Sequence, residues 1–163
     1  MAKRYLEVRA VWKLGLATMN RLRPGWLITM AAVLLVVSAW LPWLTTGAAG
    51  GGRASAIGGA AGSIEVPGRF GVGQLIVLLA SVLVVLGAMV ARDLSAGLAG
   101  AAAVAISALL AVLTWSYYRT NVHPPVAAGY GFYLGAVCVV ALLIFSVWGL
   151  ADALLDSGAP SRR

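Results

Sequence analysis

The chain has 163 residues, of which 61% are hydrophobic and only 10% charged, and its mean hydropathy is +0.94. Soluble domains carry roughly 25% charged residues, so this composition calls for lipid as the solvent. Each crossing of a bilayer core about 30 Å thick takes about 20 apolar residues, which leaves no separate soluble domain here.

A net charge of +7 would suggest nucleic acid in a soluble protein. Here the basic residues stand beside the first apolar run, where they act as an orientation signal, and no nucleic-acid partner is expected. Cys138 is the only cysteine and lies inside an apolar run, which excludes disulfides and cysteine-rich metal sites within the chain.

In chain order, Tyr5, Val8, Trp12, Leu16 and Met19 recur at the spacing of one helix face. The spacing predicts an amphipathic interfacial helix over residues 1–24 that lies on the inner leaflet. Lys3, Arg4, Arg9, Trp12 and Lys13 form its membrane surface and meet anionic phospholipid, unless the helix docks a protein partner instead. Pro24-Gly25 supplies the bend into the first span, Trp26 to Leu44, which carries tryptophans at both ends. A cleaved signal peptide is the competing reading. It fits poorly, because the preceding segment is long and the apolar run exceeds the roughly 7–15 residues of a signal sequence.

Residues 45–71 contain the glycine-dense stretches 47–52 and 58–62, whose backbone entropy opposes a helix, and they read as a flexible outer loop. Within it, Ser63 to Pro67 reads as a short strand, in a hairpin with the residues after Trp43 or against a partner. The second span is placed at 72–91 and the third at 96–116, joined by a turn tight enough to make a helix hairpin. Pro124-Pro125 stops the third helix, and a fourth span follows over 131–151, with a cytoplasmic tail over 152–163. The fold class expected is therefore all-α integral membrane, a four-transmembrane-helix bundle with its domain over 25–151.

Orientation follows from the basic residues. Lys3, Arg4, Arg9, Lys13, Arg21, Arg23, Arg92, Arg162 and Arg163 fall on one side, against Arg53, Arg69 and Arg119 on the other. That asymmetry puts both termini in the cytoplasm and the glycine-rich loop outside.

The four spans contain no Asp, Glu, Lys, Arg or His. Proton relays and ion paths need such groups at depth, so no catalytic residue, metal ligand or cofactor is expected. Small multidrug exporters share the length and span count but depend on a glutamate in the first helix, and the match fails there. His123 is a lone loop histidine without neighbouring ligands, and Glu65 with Arg69 could form only an exposed pair worth roughly 0–1 kcal/mol.

What the spans do carry is small residues at four-residue spacing. Gly97, Ala101 and Ala105 mark one face of the third span, and Ala99, Ala103, Ser107 and Ala111 another; Gly131 and Gly135 open the fourth. Such faces let helix backbones approach, inside the chain or against other integral membrane subunits. The middle of the fourth span, Val137 to Phe145, reads as lipid-facing.

The Trp-Leu-Pro-Trp sequence at 40–43, the Gly-Tyr-Gly-Phe-Tyr-Leu-Gly sequence at 129–135 and the Ala, Gly, Val and Arg bias resemble small actinobacterial four-span membrane proteins. These include accessory subunits such as the lipid uptake coordinator of mammalian-cell-entry (MCE) lipid importers. The resemblance implies a non-catalytic accessory or assembly subunit and carries over no functional residue. A respiratory-complex accessory subunit and a small stand-alone transporter or channel are the alternatives. The claudin layout is similar in topology, but its first-loop cysteine pair is missing.

Overall fold

A computed structural model describes residues 23–63 and 71–158. The expected interfacial helix with Lys3, Arg4, Arg9, Trp12 and Lys13, the Glu65–Arg69 pair and residues 159–163 lie outside them.

Helix α1, Pro24–Ser38, starts on a proline, whose fixed φ suits a first helical position and whose missing N–H is not needed there. The expected span to Leu44 is corrected here, because the helix stops at Ser38. At 15 residues it is about 22 Å long. Pro42 bars its preceding residue from helical geometry, and the chain turns into strand β1, Pro42–Thr46. An apolar run reads the same whether its last residues are helical or extended and buried.

The glycine-rich segment is also corrected. Its described residues form a 3-10 turn at Ala48–Gly50 and two strands, β2 (Gly52–Ser55) and β3 (Ala60–Gly62). Its glycines supply the turns: Gly50 and Gly51 take φ of +87° and +88° between β1 and β2, and Gly58 takes +99° between β2 and β3. The third strand pairs with β2 and ends at Gly62, and residues 64–67 of the strand expected over Ser63 to Pro67 lie outside the described residues.

Helix α2 spans Val72–Ala91, as the hydropathy predicts. The Gln74 side chain closes its first turn, accepting from the Gly71 N–H at 3.2 Å and donating to the Ile57 carbonyl at 3.1 Å. At the other end the Leu94 N–H reaches the Met89 carbonyl and the Asp93 N–H the Val90 carbonyl, at 3.0 and 3.2 Å. This is a Schellman ending with Asp93, at φ +56°, in the left-handed position usually held by glycine.

Helix α3, Ala96–Asn121, runs past its expected end at 116. Strand β4, Val126–Ala128, leads into α4, Tyr130–Gly158, which extends through much of the expected tail. Three helices, α2 to α4, are long and apolar enough to cross a membrane; α1 is shorter.

The four helices form a square in which α1 packs on α2 and α4, and α3 packs on the same two. Fully buried Ile28, Leu35, Ile76, Leu83, Leu110 and Leu142 fill the space between them, while Met30, Leu78, Val112 and Ile144 face outward. The closest backbone approach is between α1 and α2. A Cβ on Gly87 would sit 2.6 Å from the Thr29 hydroxyl and 2.9 Å from the Gly25 carbonyl, so this glycine pair sets the crossing.

At one end of the square, where α1 and α3 finish and α2 and α4 begin, lies an antiparallel sheet in the order β3-β2-β1-β4. Between Pro42 and Leu44 the β1–β2 register slips by one residue, leaving Trp43 as the extra residue of a bulge. Bulges re-aim side chains, and this one sends the indole into the helices, where it is fully buried. Its Nε1 donates to the Ser38 carbonyl at 2.9 Å, and its ring meets Tyr117 and Phe132 edge to face at centroid distances of 5.2 and 5.5 Å.

The fit has a direct test. A Cβ on Gly135 would lie 2.7 Å from the indole Cζ2, so Gly135→Val is expected to cost about 1–3 kcal/mol in detergent unfolding. In a Trp43→Ala background the same change should cost little, and additive effects of the two substitutions would contradict the contact.

Candidate functional site

Three regions hold the polar groups of the described residues. The first is the bundle end opposite the sheet. Arg23 precedes α1, and its Nη1 donates to the Ala91 carbonyl at 2.9 Å and to Asp93 Oδ2 at 2.5 Å, closing the C-terminus of α2. Both side chains are more than half exposed, so the pair is screened and adds little stability. Next to it a crevice of about 400 Å³ opens between the helix ends, with Arg23, Asp93 and Asp152 on its rim and Pro24, Gly97 and Gly149 on its walls.

The second region is the interior. The Ser107 and Ser146 hydroxyls hydrogen-bond at 3.2 Å between α3 and α4. The Thr114 hydroxyl is buried with no partner. Cys138 is buried and free.

The third region is the outer face of the sheet. Arg53 stands opposite Thr45 on β1 and Ala61 on β3, and Ala127 continues the row on β4. His123 and Arg119 are exposed nearby. Among the described residues no group of three His, Cys, Asp or Glu side chains comes together.

The small residues named from the sequence separate into distinct roles. Gly97, Ala101 and Ala105 are exposed on the outside of α3, whereas Ala99, Ala103 and Ser107 are buried inside the chain's own bundle. Gly131 and Gly135 are buried against Leu41, Pro42, Trp43 and Ser38, so they receive a strand rather than a helix.

The middle of α4 does not all face lipid. Val139 and Leu142 are buried, while Val137, Val140 and Ile144 are exposed. Sequence reading missed the Gly25–Gly87 crossing, whose signal was a glycine near one end of each of two apolar helices, and the Asp93–Asp152 crevice, whose members lie far apart in the chain.

No family model, curated protein or solved structure matches the chain.

The interior polar groups differ in partnering, and their variants should differ accordingly. Ser107→Ala removes one half of a buried pair and should lower stability by about 0.6 kcal/mol, the usual size of such bonds in a membrane bundle. Thr114→Val keeps the shape and removes an unpartnered hydroxyl, so it should raise stability by up to about 1 kcal/mol. Thermal unfolding in one detergent compares them, and a loss of stability in Thr114→Val would contradict this assignment.

Proposed function

We propose that the chain is a four-span protein of a bacterial inner membrane, with both termini in the cytoplasm, that serves as a non-catalytic accessory or assembly subunit of a larger membrane complex. The reading of α1 as a fourth crossing is supported by its matched ends. Gly25 packs against Ala91 at one end of α2, and at the other the Ala39 carbonyl accepts from Ala56, on which Gly73 packs. These contacts support reading α1 together with the turn after it as a crossing beside α2.

The observation that carries the subunit reading is the division of small residues on α3. One small face is consumed within the bundle; Gly97, Ala101 and Ala105 leave the other uncovered beside exposed Leu98 and Leu109. In lipid, a bare small-residue face is where a further helix gains close packing. The apolar filling between the four helices and the charge-free spans supply no energy-coupling group, which supports a role in holding or regulating a partner. A partner in cell-envelope lipid transport agrees with the family resemblance, and Lys3, Arg4, Arg9, Trp12 and Lys13 would hold the N-terminal segment to anionic lipid.

The topology is tested by impermeant thiol labelling in a Cys138→Ser background. Ser55→Cys should react from outside and Ser157→Cys should not, and the reverse pattern would overturn the orientation.

The subunit role is tested by recovery of partners with tagged protein in mild detergent. Ala101→Leu with Ala105→Leu should lower co-purification about tenfold, the scale of losing 1–2 kcal/mol of helix association. Val137→Leu, on an outward position of α4, should leave it unchanged. Purified chain that moved ions or lipid across liposomes alone would make it a stand-alone carrier instead.

A further inference from the structure

We infer that the crevice between the helix ends is a binding site for the headgroup of a phospholipid bearing a primary amine, the phosphoethanolamine class. The inference depends on the membrane embedding of α2 to α4 and not on the subunit role.

Depth comes first. The crevice lies where α2 ends, 20 residues and about 30 Å from its start, and Gly149 on α4 lies at a similar distance from Tyr130. With these helices across a bilayer, the opening stands at headgroup level rather than among acyl chains.

Charge comes second. Arg23 and Asp93 neutralise one another, while Asp152, half-buried on the facing helix, has no ion-pair partner among the described residues. The rim therefore keeps one uncompensated carboxylate, which favours a cation with N–H donors. Arg23 directs only Nη1 at Ala91 and Asp93, so most of its five N–H donors remain available for an anion. One crevice thus carries both an ammonium acceptor and a guanidinium, the two groups that a headgroup with an amine and a phosphodiester calls for.

Shape comes third. The walls are Pro24, Val90, Ala96, Gly97, Gly149 and Ala153, which give the space for a headgroup an apolar lining. A Cβ on Gly97 would meet nothing within 4 Å, so a larger side chain there enters open space without disturbing a packed contact.

The full-length chain, purified in mild detergent, would be titrated with phosphatidylethanolamine, phosphatidylcholine or phosphatidylglycerol, and bound lipid counted by native mass spectrometry. Phosphatidylethanolamine should bind about tenfold tighter than phosphatidylcholine, whose quaternary nitrogen has no N–H to donate to Asp152. Asp152→Asn should erase that preference by removing the charge. Gly97→Leu should erase it by filling the crevice, with unfolding unchanged in both variants.

Equal binding of the lipids, or a preference that survives both substitutions, would overturn the site. Displacement of the lipid by an equal concentration of soluble phosphoethanolamine would overturn the lipid as its source. A zero-length carbodiimide link from Asp152 to Lys3 or Lys13 in the full chain would assign the crevice to the chain's own basic segment. A chain that recovers no partner protein yet shows the amine preference would leave this site standing and remove only the subunit role.

Discussion

The seating of one indole organises the outer half of the molecule. Trp43 occupies a hole whose floor is the backbone of α4 at Gly131 and Gly135 and whose walls are Tyr117 and Phe132. Lipid gives little drive to bring apolar helices together, so close packing and satisfied polar groups must do the work. The indole provides both, since its ring fills the junction of α3 and α4 and its N–H satisfies a carbonyl at the end of α1. The bulge in β1, the absence of side chains at two positions of α4 and the early end of α1 all serve this one contact.

The legibility of the fold in the sequence varies with how local each determinant is. The ends of α2 are set by Gly71-Val72 and by the turn at Arg92–Ser95, both within a few residues, and they agree with the hydropathy. The end of α1 has a local cause in Pro42, but the burial of Trp43 just after it is permitted by glycines almost a hundred positions later. Gly131 and Gly135 show the same limitation from the other side. Their spacing fits a helix-on-helix seam, but a tryptophan from a strand occupies them. The glycine-dense stretches read as a flexible loop because backbone entropy opposes a helix there, although paired strands of Ala, Gly and Ser need only backbone.

The candidate surfaces were legible to different degrees for a related reason. Helical periodicity separates the two small faces of α3, but it does not tell which one the chain's own bundle covers, and burial resolves that in favour of Ala99, Ala103 and Ser107. The crevice had no sequence signature at all. Arg23, Asp93 and Asp152 are drawn to one rim by the up-and-down course of the helices, a global property that no short motif encodes.

The sheet carries a consequence for biogenesis. Its central strand β1 bonds to β2 a few residues away and also to β4, whose residues 126–128 leave the ribosome long after 42–46. Between those events α2 and α3 must both be made, so the β1–β4 ladder closes only when α3 is complete and α4 is about to start. Until then the edge of β1 that β4 will take stands open. The last ladder to form thus works as a clasp, tying the strand that follows α1 to the one that precedes α4 and recording that both helices between them have been placed.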